Sequence, residues 1–168
     1  IMPELLKQKN CQFAILGSGD SKEERAFRQL SKSHPTQVAS FIGFDDGLAR
    51  RIFAGSDFFL MPSRFEPCGL SQQYALRYGS IPIARRTGGL ADTITPVESK
   101  SKSANGFLFD RPHPQELAKV IHKSLALYQD QSAFLNTRKN AMHSSFSWAA
   151  AALQYVKTYE WALEKKAQ

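Results

Sequence analysis

Cysteine is scarce in this sequence. Cys11 and Cys68 are the only two among 168 residues, too few for a disulfide framework. One falls in an apolar run and the other in a glycine-bearing turn, a pairing that fits a reducing cytoplasm. Long hydrophobic runs are missing as well. No stretch approaches the roughly 20 apolar residues that cross a bilayer, and no charged-then-apolar leader opens the chain, so no membrane partner is expected. Metal chemistry lacks its usual carriers. Asp-x-Asp does not occur, and His34, His113, His122 and His143 do not fall at ligand spacing. Each histidine reads as a surface or helix-cap residue, and no metal is expected. The absence of Gly-x-x-x-x-Gly-Lys-Ser/Thr excludes a P-loop, and no Ser/His/Asp arrangement stands out.

Acidic residues are in deficit. There are 22 Lys and Arg against 15 Asp and Glu, a formal charge of +7. The basic residues are nevertheless scattered, with Arg50-Arg51, Arg85-Arg86 and Lys165-Lys166 only as pairs. That distribution suits a small phosphorylated ligand or an unspecialised surface better than nucleic acid, which is not expected as a partner. A hydrophobic content of 42% in 168 residues suits one domain with a substantial core. The opening "IMPELLKQKN" places Ile1, Met2, Leu5 and Leu6 at helical spacing, with no initiator methionine at position 1. The chain is expected to be a piece of something longer.

What is present alternates between apolar runs and helical patterns, the signal for βαβ units and a parallel sheet. Strands are expected at "CQFAILG" (11–17), "VASFIG" (38–43), "DFFLMP" (57–62), "SIPIA" (80–84) and "FLFD" (107–110), the first and third of them buried. Helices are expected at 21–30, with Ser21 as N-cap and Glu24 completing a capping box, and at 46–56. A third helix is expected at 70–79, where Leu70, Tyr74 and Tyr78 fall four apart and Gly79 stops it. "GGLADTI" starts a short one, and 96–106 is a polar surface loop. At 114–129 Pro114 takes the first helical position and Leu117, Val120, Ile121, Ser124 and Tyr128 form one face. Helices at 132–144 and from Ser147 onward finish the chain, the last with a stripe through Trp148, Ala152, Tyr155, Tyr159 and Ala162.

Three glycine-bearing turns follow strands in this pattern. "LGSGDS" (16–21) begins like a dinucleotide fingerprint, but Lys22 stands where the third glycine of G-x-G-x-x-G belongs, which weakens a nicotinamide reading. "FEPCGLS" (65–71) places Gly69 where the backbone can approach a ligand, ahead of amides that open the 70–79 helix. Phosphate is the natural guest of such amides. Glu66 would repel it, and suits hydroxyls of a neutral polyol instead. Phosphate beside hydroxyls describes a nucleotide sugar; the alternative is a carboxylate that merely complements a helix dipole. "RRTGGLAD" (85–92) follows the next strand with a second set of amides, and two neighbouring crossings suit a diphosphate ester better than independent turns do.

The block "PSRFEPCGLSQQYALRYGSIPIARRTGGLADT" resembles the signature of bacterial glycogen synthases and plant starch synthases. The resemblance runs from "LGSGD" through "IGFDDGLARRIFAGSDFFLMPSRFEPCGL" to "FSW" near the end. It implies a Rossmann-like parallel sheet with helices on both faces, the carboxyl-terminal nucleotide-sugar-binding domain of a GT-B fold. The implied activity is transfer of glucose from ADP-glucose to the non-reducing end of an α-1,4-glucan with retention, without cofactor or metal. Carried over position by position, Glu66 grips the donor glucose hydroxyls, and Cys68, Gly69, Leu70 and Ser71 line its diphosphate. Thr87, Gly88 and Gly89 complete that cradle, while Gly17, Ser18 and Gly19 let the nucleotide lie close. Phe44 stands where the family often has tyrosine and would stack on adenine.

Related retaining transferases carry a second glutamate eight positions after the first. Here that position is Tyr74, which favours the glycogen/starch synthase branch. Departures follow from the chain's extent. The family's Lys-x-Gly-Gly-Leu loop, its Arg…Lys pair and the acceptor domain are absent, so residues 1–146 are expected to form the donor domain. Residues 147–168 are expected to cross to the missing amino-terminal domain, and the isolated chain is expected to be inactive. The alternatives are a non-catalytic nucleotide-sugar or polyanion-binding module, a related retaining glycosyltransferase with another acceptor, and an NAD-dependent oxidoreductase.

Overall fold

The computed structural model describes residues 1–7, 11–99 and 101–166, with only the backbone of Ala150. Residues 8–10 of the opening segment and Lys100 of the polar loop lie outside the described residues. Helix α1 (Met2–Lys7) buries Leu5 and Leu6. Then β1 (Phe13–Gly17) leads to α2 (Ser21–Ser33), β2 (Val38–Ile42) to α3 (Asp46–Gly55), β3 (Phe58–Met61) to α4 (Leu70–Tyr78), and β4 (Ile81–Arg85) to α5 (Gly88–Thr93). A 3-10 turn at Val97–Ser99, β5 (Phe107–Phe109), α6 (Pro114–Gln129), α7 (Gln131–His143) and α8 (Trp148–Lys166) complete the chain.

Every strand pairing among the described residues is parallel, as βαβ connections require. Among the described residues the strands pair in two groups, β1 with β2 and β3–β4–β5 with β4 central. Phe13 lies opposite Val38, Phe58 opposite Ile81 and Ile83 opposite Phe107. This is a Rossmann-like α/β fold. Because β3 and β4 are direct parallel neighbours, the bends that leave their carboxyl ends emerge side by side on one edge. The three-stranded group lies against the main core, where Ile81, Ile83, Phe107, Phe109, Val120, Ile121 and Phe134 pack with Leu5. A second cluster of Ala84, Leu90, Ile94 and Leu108 sits beneath α5.

Helix ends follow the local chemistry, with one correction. Asp20, not Ser21, is the N-cap of α2, its carboxylate accepting from Lys22 N at 2.8 Å. Glu24 reaches back as a capping-box acid does, but to the amide of Gly19 at 3.0 Å. The carboxylate of Asp20 is the ready charged acceptor, so the helix starts with Ser21 already inside it. Pro114 opens α6 and Gly79 closes α4. His113 and His34 cap helices, and His143 sits in the last turn of α7.

Two burial expectations are overturned. Strands β1 and β3 are only partly buried, and β4 is the enclosed one, with Ile81 through Ala84 all buried. The cause is position: β4 has strands on both sides, whereas β3 lies at the end of its group. In α4 the stripe Leu70, Tyr74 and Tyr78 faces out, Tyr74 and Tyr78 leaning on Phe53 with ring centroids 6.3 Å away. The buried face is Gln72, Ala75 and Leu76. Helix α7 docks through Arg138, which donates to Gly79 O at 2.9 Å, pairs with Asp57 at 2.7 Å and lies over the Phe134 ring at 4.5 Å. Helix α8 exposes Trp148, Leu153, Tyr155, Tyr159 and Trp161. Among the described residues no helix is long and apolar enough to cross a membrane.

Candidate functional site

The bend after β3 is held by its carbonyls. Arg85, at the end of β4, donates through Nε to Ser63 O at 2.8 Å and through Nη2 to Arg64 O. The Gly89 amide donates to Glu66 O at 3.1 Å and to Pro67 O at 3.3 Å. Gln72 Nε2 donates to Cys68 O at 3.2 Å. The bend from Ser63 to Cys68 is therefore gripped on one side by groups from β4, α5 and α4. Among the described residues no peptide bond is cis, and in a trans peptide the N–H points opposite to the C=O. Pinning Pro67 O and Cys68 O inward turns the amides of Cys68 and Gly69 away from that grip. They join the free amides of the first turn of α4, where the helix dipole is positive.

Glycine is required at this junction for two reasons. Gly69 has φ 77°, a left-handed conformation that side chains disfavour. A Cβ on Gly88 would sit 2.1 Å from Glu66 O, and one on Gly89 would sit 2.0 Å from Cys68 O. The backbones of the two bends touch, and only glycine allows the approach. Gly89 is thereby committed: it is buried and its amide serves the loop–loop contact, while Gly88 is exposed and Thr87 half-buried. At the rim Cys68 and Leu70 are exposed, Gly69 is buried between them, and Ser71 and Glu66 are half-buried. Glu66 is thus not enclosed in the apolar core.

The crossing after β1 is built differently. Gly17 ends the strand, and Ser18 and Gly19 are exposed. A Cβ at Gly17 or Gly19 would meet nothing within 4 Å, so packing does not demand glycine there. A cavity of about 310 Å³ lies beneath, lined by Gly17, Ser18, Gly19, Asp20, Glu24 and Phe27 among others. Its acidic lining, with the Gly19 amide already bonded to Glu24, does not suit a diphosphate. After β2, Phe44 presents a ring that is 91% exposed. Among the described residues no group of three or more His, Cys, Asp or Glu could hold a metal ion.

Three participants escaped the motif reading: Arg85, Gln72 and Thr93. Arg85 had looked like half of a scattered basic pair. Gln72 carried a legible signal, since Gln72, Ala75, Leu76 and Gly79 fall at i, i+3, i+4 and i+7, a polar residue on an otherwise small and apolar face. Thr93 carried none.

Parallel βαβ units with two fused glycine bends at one strand edge make this a Rossmann-like domain, and the likeness to known proteins makes it one of the GT-B glycosyltransferase type. The chain belongs to the glycosyl transferases group 1 family, whose model matches residues 1–141. It is 48% identical over 161 residues to a glycogen synthase of Syntrophotalea carbinolica, covering 96% of this chain and 33% of the relative. It is 48% identical over 166 residues to a glycogen synthase of Desulforudis audaxviator, covering 98% and 33%. Among solved structures it is similar to the catalytic domain of starch synthase IV from Arabidopsis thaliana bound to ADP and acarbose, with TM-score 0.79 and 33% identity, covering 91% of this chain and 32% of that one. The chain thus spans about a third of the length of the curated relatives it matches. The resemblance to glycogen and starch synthases seen in the "FEPCGL" and "TGGLAD" blocks is borne out.

Proposed function

We propose that this chain is the donor-binding part of a cytoplasmic, ADP-glucose-dependent glycogen or starch synthase. The enzyme would move glucose to the non-reducing end of an α-1,4-glucan with retention of configuration. The observation that carries this reading is the contact of the two glycine bends, which pins their carbonyls to one another and so faces the amides of exposed Cys68 and buried Gly69 away from that contact, beside a half-buried Glu66.

The reaction breaks the bond between the glucose anomeric carbon and the diphosphate, through a state in which the sugar gains positive character and the leaving diphosphate gains negative charge. Fixed amides at the start of α4 are already oriented toward that growing charge, so no reorganisation is needed as it appears. Cys68, Gly69, Leu70 and Ser71 line the diphosphate in this scheme, with Thr87 and Gly88 at its edge and Gly89 holding the frame. Glu66 accepts hydrogen bonds from the hexose hydroxyls and fixes the sugar over the cleft. Phe44 stacks on the adenine ring, and the open crossing at Gly17, Ser18 and Gly19 leaves room for the nucleoside. Backbone amides stabilise the leaving group in this scheme. The glucan acceptor is bound by a second domain of the longer protein, onto which α8 crosses.

Titration of the chain with ADP, ADP-glucose, UDP-glucose, NADH and single-stranded DNA tests this assignment. Saturable binding of ADP and ADP-glucose, with neither NADH nor DNA bound, is the expected outcome. The longer protein then transfers labelled glucose to glycogen and the 168-residue chain alone does not. Preference for NADH or DNA would overturn the reading. Nucleotide-sugar binding without transfer by the longer protein would make it a non-catalytic module.

A further inference from the structure

Gln72 is fully buried, yet it belongs to no hydrophobic cluster and presents one orphan atom. Its Nε2 donates to Cys68 O at 3.2 Å and to Thr93 Oγ1 at 3.1 Å. Thr93 Oγ1 in turn donates to Gly89 O at 2.6 Å. Its Oε1 has no hydrogen-bond partner and lies against Gly69, where an added Cβ would meet it at 2.3 Å. Leaving a buried carbonyl oxygen unpaired is unfavourable, and an unbranched apolar side chain of similar length would fill the same space without that defect. Filling the space therefore does not account for glutamine at this position.

Its bonding does. The side chain joins the first bend, at Cys68, to the second, at Gly89, through Thr93. By holding Cys68 O inward it fixes the plane of the Cys68–Gly69 peptide, and the Gly69 N–H faces the opposite way. We infer that Gln72 is a positioning residue for the diphosphate subsite, acting with Thr93 to aim the Gly69 amide at the ligand without touching it. This rests on the function proposed above. Such an arrangement, in which a locked side chain orients the group that meets the ligand, is the general requirement for a preorganised anion site.

The test uses the 168-residue chain, ADP as the probe, and amide NMR, which reads weak as well as tight binding. In the unsubstituted chain the Gly69 amide shifts on ADP addition. Gln72→Met is expected to weaken ADP binding about tenfold, the factor equivalent to one hydrogen bond of ordinary strength, and to abolish most of the Gly69 shift. The loss is confined to ADP binding and the Gly69 response, with the other amide signals of the folded chain retained, an outcome a merely structural glutamine would not give. Should Gln72→Met fail to fold, Thr93→Val and Thr93→Ser carry the test. The valine is expected to weaken ADP binding and the serine, which keeps the hydroxyl, to restore it. Binding by Gln72→Met or Thr93→Val equal to that of the unsubstituted chain, with the Gly69 shift intact, overturns the inference alone. No ADP binding by the unsubstituted chain overturns both this inference and the proposed function.

Discussion

The amide of Gly89 donates to the carbonyl of Glu66 across 3.1 Å, joining the bend after β4 to the bend after β3. This bond places the residue proposed to grip the sugar at a set position relative to the α5 helix start. It also separates the two paired glycines by role, since Gly89 faces the protein while Gly88 faces out.

Gly89→Ala should therefore act on the frame. Its Cβ would meet Cys68 O at 2.0 Å, a backbone atom that cannot rotate aside. A stability loss of about 1–3 kcal/mol is expected from overpacking, together with weakened ADP binding. Thermal denaturation and an ADP titration check this, and an unchanged melting temperature would mean the bends are further apart than they stand.

Glu66→Ala acts on the chemistry. In the longer enzyme, glucosyl transfer is expected to fall by roughly 100- to 1,000-fold, the scale of losing one group that stabilises a transition state. ADP, which carries no hexose, should bind within about twofold of the unsubstituted protein, a factor small against one hydrogen bond. Parallel losses in transfer and ADP affinity would make Glu66 a structural residue instead.

Phe44 is so exposed that its replacement should not disturb folding. Phe44→Ala is expected to lower ADP affinity by the worth of one base stack, about 1–3 kcal/mol, with a melting temperature unchanged. Phe44→Tyr keeps the ring face and should bind ADP normally. Equal affinity for ADP in the alanine variant would remove Phe44 from the site.

The two cysteines should differ in reactivity. Burial pushes the Cys11 thiol above its ordinary pKa, and its Sγ lies 3.8 Å from Leu5 O, whereas Cys68 is exposed at the rim. A thiol whose pKa is raised on folding contributes stability that is fully present below the unfolded value of 9.0. That contribution is lost as pH rises through the higher folded value. Alkylation at pH 8 should label exposed Cys68 first and half-buried Cys11 more slowly, and stability should decline on the alkaline side. Mass mapping of the labelled chain and denaturation at stepped pH report both effects; Cys11 labelled first would contradict this burial.

Much of the fold was legible because the cues are local. Strand–glycine–helix crossings, the proline that opens α6 and the glycine that closes α4 are properties of short segments, and each element lies within a few residues of its expected place. The helix at 70–79 was legible as a helix, but its inner face was not. Leu70, Tyr74 and Tyr78 make the stronger apolar stripe, yet the face packed inward carries Gln72, Ala75 and Leu76. Gln72 is drawn inward by its bonds to Cys68 O and Thr93 Oγ1, and hydrophobicity alone does not register that.

The site divides in the same way. Residue order alone determined which bends carry glycine, that a carboxylate precedes a helix start, and to which family the pattern is similar, because backbone conformation and helix polarity are dictated by neighbouring residues. Which amides stay free for a ligand and which are consumed in joining the bends was decided only in three dimensions. Gly89 meets Glu66, Gln72 meets Thr93 and Arg85 meets Ser63 across about 20 positions of sequence. Those pairings exist because β3 and β4 lie side by side, and strand adjacency is a property of the packed whole.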